Sequence, residues 1–147
     1  MASVAEVGGV RWVDDSKATN PPAAQASLQA FDPVVWIAGG LLKGAEVDDL
    51  VRANASRLRA AVLLGRDRGI IADALAAHAP QVPVTVIETS DADEAMREAV
   101  AAANAAAQRG DTVLLAPAAA SLDMYASYGA RGDAIADAVD ALSGSRA

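Results

Sequence analysis

The chain of 147 residues contains no cysteine, so neither a disulfide framework nor a thiolate zinc site can be built from it. It has a single histidine, His78, too little imidazole for a metal-binding cluster. Aromatic residues make up 3% and the net charge is -7, so the stacking rings and the basic stripe that phosphate-backbone binding needs are both missing. Nucleic acid is therefore not an expected partner, and no metal site is expected. No uninterrupted apolar run approaches the ~20 residues that cross a bilayer. The start, Met1-Ala2-Ser3-Val4-Ala5-Glu6, lacks a charged segment followed by an apolar one. Export and membrane insertion are disfavoured, and a reducing cytoplasm is the expected compartment.

What is present is apolar and short-ranged. With 53% hydrophobic residues, the composition suits one globular domain with a sizeable core. Short β-branched or apolar runs alternate with alanine-rich stretches of helical period, the pattern of a parallel sheet wrapped by crossover helices. Strands are expected at Val10–Val13, Val34–Ala38, Ala61–Leu64, Val84–Ile87 and Thr112–Leu115. Helices are expected at Ala23–Ala30, Val47–Arg57, Gly69–His78, Asp93–Gln108 and Asp133–Leu142. Asn20 reads as an N-cap followed by Pro21 and Pro22 in the first turn, and Gly110 as a C-cap. Asp91 or Asp93 places negative charge at a helix start. The last residues, Ser143 to Ala147, are expected to fray. Five such units give an α/β, Rossmann-like three-layer sandwich, a mostly parallel sheet with helices on both faces; strand order is not legible. Ligands of such sheets bind beyond the carboxyl ends of the strands, which narrows the search to five loops.

Lysine is the scarce cation. Only Lys17 and Lys43 occur among the 12 basic residues, and both fall in loops after the first two strands, where a point charge could meet an anion. The first loop, Asp14-Asp15-Ser16-Lys17-Ala18-Thr19-Asn20, is dense in carboxylate, hydroxyl and ammonium groups. The second, Gly39-Gly40-Leu41-Leu42-Lys43-Gly44, lacks the order of a P-loop, yet its paired glycines permit positive φ or a close backbone approach. The fifth is apolar through Ala116-Pro117-Ala118-Ala119-Ala120, then offers Ser121 and Asp123, with Ser121 a candidate cap for the following helix. Tyr128-Gly129-Ala130-Arg131-Gly132-Asp133 reads as a further loop that could close over a ligand. Gly65-Arg66-Asp67-Arg68 reads as a salted helix start, His78 as a partner of the last helical carbonyls, and Trp12 and Trp36 as core.

Taken together, Val13-Asp14-Asp15-Ser16-Lys17-Ala18-Thr19-Asn20, Ala38-Gly39-Gly40 with Lys43-Gly44, and Leu114-Leu115-Ala116-Pro117 through Ala120-Ser121-Leu122-Asp123 to Arg131-Gly132 resemble the carboxyl-terminal domain of the Mur ligase family, in its D-glutamate-adding branch. The resemblance implies that residues 1–147 are the amino-acid-binding domain, without the domains for the UDP-sugar and for ATP. It implies an ATP-dependent amide-bond-forming ligase that joins D-glutamate to UDP-N-acetylmuramoyl-L-alanine through an acyl phosphate, with ATP and Mg²⁺ bound mainly by the absent domains. By that resemblance Thr19 and Lys43 hold the α-carboxylate of D-glutamate, and Ser121 with backbone near Leu122 and Tyr128 holds its side-chain carboxylate. Asp15 faces the nucleotide ribose, and Lys17 is the catalytic cation, reaching toward the phosphates or the acyl phosphate. The domain alone is expected to bind and position without turnover. Ala116 and Ala119 stand where the family commonly has Ser and Cys, and Tyr128 where Phe is usual.

Two other readings stand beside it. A signalling receiver also begins with paired acids such as Asp14 and Asp15, but Gly65 and Ala116-Pro117 occupy the places of its acceptor Asp and its Lys, leaving Asp67 as a shifted acceptor. A generic mononucleotide-binding module is the other.

Overall fold

The computed structural model describes residues 2–121 and 124–146. Among them, six strands and five helices follow one another as β1 (Ala2–Val7), β2 (Val10–Asp14), α1 (Pro21–Leu28), β3 (Val34–Gly39), α2 (Asp48–Asn54), β4 (Leu58–Leu64), α3 (Arg68–His78), β5 (Val84–Val86), α4 (Ala92–Ala106), β6 (Thr112–Leu115) and α5 (Tyr128–Arg146). The strands form one sheet in the order β1-β2-β6-β3-β4-β5. Every pairing from β2 to β5 is parallel, and β1 is added antiparallel to β2 through a tight hairpin at Gly8-Gly9.

The period of two along the central strands divides the core. In β3, Val34, Trp36 and Ala38 point to one side with Leu28 of α1, Val51 of α2 and Leu75 of α3. Val35 and Ile37 point to the other, with Met96 of α4 and Ile135 and Val139 of α5. The result is the expected three-layer α/β sandwich with helices on both faces. Trp12 and Trp36 are fully buried as expected, and the Trp36 indole Nε1 donates to the Ala116 carbonyl at 2.8 Å.

The structure corrects several boundaries. The strand β1 went unforeseen, because Ala-Ser-Val-Ala-Glu-Val alternates too weakly to stand out from a polar segment. β5 is an exposed edge strand of three residues, shorter and wetter than the buried strand expected at Val84–Ile87; only Ile87 is buried, since β5 has a single neighbour in the sheet. α2 ends at Asn54, before the predicted Arg57. Gly110 is no C-cap: α4 ends at Ala106, and Gly110, with φ 96°, turns the chain into β6 while its amide donates to the Gly9 carbonyl at 2.9 Å. His78 meets the carboxylate of Asp48 at 2.8 Å and so ties α3 to α2, where the sequence had suggested helical carbonyls.

The largest correction concerns α5. The segment Tyr128 to Asp133, read as a loop, is its first turns, and the helix continues to Arg146. Glycine suggested a turn there, but Gly132 serves a close approach: a Cβ at that position would lie 2.5 Å from Asp14 Oδ2. Elsewhere the cap chemistry held. Asn20 accepts from the Ala23 amide at 2.9 Å with Pro21 and Pro22 in the first turn, and Asp91 accepts from Glu94 at 2.9 Å.

Candidate functional site

The carboxyl ends of β2, β3 and β6 are neighbours in the sheet, so the three loops singled out in the sequence emerge side by side. Main-chain bonds then stitch them together. The Asp15 amide donates to the Leu115 carbonyl at 2.8 Å, and the Ala118 amide to the Ala18 carbonyl at 2.9 Å, joining the first loop to the last. The second loop meets the last through Leu41 and Ala120, which exchange both main-chain bonds at 2.9 and 2.8 Å, and through the Gly39 amide on the Pro117 carbonyl at 3.0 Å.

Gly39 and Gly40 permit this fit. Both have φ 134°, and a Cβ would lie 1.7 Å from the Leu64 carbonyl oxygen at Gly39 and 2.2 Å from that of Ala120 at Gly40. The close approach foreseen from the sequence is thus made by the protein's own backbone. The amides of Gly39, Leu41 and Leu42 are committed within the protein, to the carbonyls of Pro117 and Ala120 and to the Asp67 carboxylate. The cation beyond them, Lys43, is exposed and held at φ 54°.

Arg131, from the first turns of α5, crosses beneath these loops. It is 2% exposed, and its guanidinium donates to the Gly39 carbonyl at 3.3 Å and to the Ser16 carbonyl at 3.2 Å. A buried guanidinium is costly unless hydrogen-bonded, so these contacts fix both loops relative to α5. The sequence carried Arg131 only as part of a motif; nothing in composition marked it as buried. Asp14 completes the underside, with one carboxylate oxygen accepting from both the amide and the hydroxyl of Ser16.

A cavity of about 570 Å³ opens between the first loop and α5, lined by Asp14, Asp15, Lys17, Tyr128 and Asp133 among others. Of the residues expected at a site, Asp15, Lys17 and Tyr128 therefore share one space. Thr19, Lys43 and Ser121 sit on the stitched loops; Thr19 is half-buried and its amide donates to the Lys17 carbonyl at 2.8 Å. Ser121 is buried at 4% exposure and does not cap α5, contrary to expectation. Its carbonyl starts a turn by accepting from Met124 and Tyr125 at 3.1 and 2.9 Å, while Ser127 supplies the hydroxyl that accepts from Ala130 at the start of α5. Leu122 and Asp123 lie outside the described residues. Among the described residues no group of three acidic or imidazole side chains is placed to hold a metal ion.

Asp67 was read as part of a salted helix start, with a phospho-acceptor as the rival role. Its carboxylate instead accepts from the Leu42 amide at 2.7 Å, and its own amide donates to the Gly40 carbonyl at 3.0 Å. The receiver reading loses its remaining acceptor to this structural bond. Arg68 does behave as a helix-start cation, with its guanidinium on the Gly65 carbonyl at 2.7 Å and 3.6 Å from Glu88.

The family described as Mur ligase, glutamate ligase domain, matches residues 1–119. The UDP-N-acetylmuramoylalanine--D-glutamate ligases of Rhodococcus jostii and Thermobifida fusca are 57% and 60% identical over 98% of this chain, covering 33% and 31% of their own lengths. That of Frankia casuarinae is 62% identical over 97% of the chain and 29% of its own length. These relatives extend the match through the last loop and α5, and the chain spans about a third of their length. With the family match covering most of its length, the chain belongs to the Mur ligase family as its glutamate ligase domain.

Proposed function

We propose that this chain is the amino-acid-binding domain of an ATP-dependent ligase that joins D-glutamate to UDP-N-acetylmuramoyl-L-alanine, a cytoplasmic step of peptidoglycan synthesis. The observation that carries the reading is the stitching of the Lys17–Thr19, Lys43 and Ser121 loops into one rim at the carboxyl end of the sheet. The names of the relatives support the choice of D-glutamate.

On this reading Lys43 and Thr19 hold the α-carboxylate of D-glutamate. Ser121, with the backbone at Leu122 and Tyr128, holds the side-chain carboxylate. A dianion suits a rim that carries both lysines of an otherwise acidic chain. Asp15 faces the ribose of ATP, and Lys17, in the same cavity, stabilises negative charge that builds up as the amine attacks the activated alanine carboxyl. ATP supplies the activation, and it and Mg²⁺ are bound mainly outside residues 1–147. The contribution of this domain is position: it fixes the amine, and closure against the remaining domains brings amine and Lys17 to the reacting carbonyl.

A graft tests this. The corresponding third of the Thermobifida fusca ligase is replaced by this chain, and D-glutamate addition is followed with Lys43 intact or changed. The expected result is an active chimera in which Lys43→Ala raises KM for D-glutamate at least about tenfold, the equivalent of one lost charge-assisted bond. A folded chimera without D-glutamate addition, or an unchanged KM in Lys43→Ala, contradicts the proposal.

A further inference from the structure

Lys43 adopts a backbone conformation that its residue type resists. Its φ is 54° and that of Gly44 is 80°, and the Ala45 amide closes the turn on the Leu42 carbonyl at 3.0 Å. Two successive positive φ values suit Asn-Gly or Gly-Gly; a lysine in the first place is strained. Such strain persists only where the surroundings over-determine it.

The surroundings do so from a neighbouring strand. On one side of the turn, Leu41 is locked to Ala120 by two main-chain bonds. The next amide, that of Leu42, has no strand to join and is met by Asp67 Oδ2 at 2.7 Å. Asp67 also donates its own amide to the Gly40 carbonyl at 3.0 Å, so one residue from the β4–α3 turn grips the Lys43 loop at two points. Its position makes this choice telling. Asp67 is the N-cap residue of α3, where an aspartate ordinarily accepts from amides of the first turn, yet its side chain makes no capping bond. The carboxylate has given up the local partner for the distant one.

We propose that Asp67 is a positioning residue for Lys43: its carboxylate anchors the Leu42 amide, keeps Lys43 in the left-handed conformation and so presents the ammonium to the α-carboxylate of the bound amino acid. The role in binding rests on the D-glutamate reading of Lys43; the backbone anchoring does not.

Two substitutions separate anchoring from capping. Asp67→Ser keeps a good cap for α3 but is too short to reach Leu42, whereas Asp67→Asn retains an acceptor of the same reach. The chain is examined by amide NMR without ligand and during titration with D-glutamate. In the free protein the strong intraresidue amide-to-α-proton contact of Lys43, the mark of positive φ, weakens in Asp67→Ser and persists in Asp67→Asn. Affinity for D-glutamate falls about tenfold in Asp67→Ser and no more than about threefold in Asp67→Asn. In a Lys43→Ala background Asp67→Ser causes no further loss, as residues acting through one another require. An Asp67→Ser chain that keeps the Lys43 contact overturns the proposal. So does an equal affinity loss with and without Lys43. A Lys43→Ala chain that binds D-glutamate like the parent overturns the ligand reading instead, and the anchoring is then decided by the spectrum of the free protein alone.

Discussion

The two ends of the sheet solve the same problem of turning a chain with different chemistry. At the amino end, the positive-φ positions among the described residues fall on Gly8, Gly9 and Gly110, and the buried Asp111 carboxylate is met by Arg59 at 2.5 Å. Turns there fall on glycine, which takes positive φ without strain. At the carboxyl end, positive φ falls also on Lys43 and Ala118, at 54° and 61°, and the buried Arg131 guanidinium donates to the carbonyls of Ser16 and Gly39. Among the described residues, the non-glycine positions with positive φ both fall at this end, where the candidate site lies. Such strain persists only where the surrounding structure over-determines it, as the stitched loops do here.

The sharpest way to break the comparison is to remove the guanidinium. Arg131→Ala leaves two carbonyls without their donor and a void beneath the loops, and is expected to destabilise the domain by about 3 kcal/mol in thermal or denaturant unfolding. Amides around Lys17 and Lys43 should shift with it, while those at the amino end stay in place. A loss under about 1 kcal/mol would mean that water satisfies the two carbonyls as well as Arg131 does.

A smaller effect tests the strain itself. Lys43→Gly relieves the left-handed residue and should raise stability by up to about 1 kcal/mol, against the usual entropy cost of glycine, while weakening D-glutamate binding at least about tenfold, as Lys43→Ala does. Gly110→Ala is the control at the other end. A Cβ there meets nothing within 4 Å, so its cost, about 1 kcal/mol, comes from φ alone. Opposite signs in chemical denaturation support the contrast between the two ends; destabilisation by both would remove it.

Much of the fold was legible because the central strands are buried on both faces and read as continuous apolar runs, as Val34 to Ala38 does. The strand order was not, since each crossover is compatible with several neighbours; only contacts such as Trp36 on Ala116 reveal that β6 lies beside β3. Glycine misled at Gly132, read as a turn, and was read correctly as a close approach at Gly39-Gly40. At Gly132 and at Gly39-Gly40 it marks the absence of a side chain where other atoms come close, which a sequence cannot distinguish from a turn or a ligand cradle. At the candidate site, the loops and the scarce lysines stood out by composition. Arg131 and Asp67 did not, because their importance lies in carbonyls and amides of distant loops, and main-chain partners leave no trace in residue identity.

The central claim, that the rim of stitched loops is a preformed site for D-glutamate, is tested most directly by titrating the amide spectrum of residues 1–147 with D-glutamate, with L-glutamate as the control. The account predicts shifts confined to Lys17, Thr19, Lys43, Ser121 and Tyr128, seen only with the D enantiomer. If neither enantiomer moves those amides at millimolar concentration, or both move them alike, the claim of a preformed D-glutamate site in this domain is contradicted.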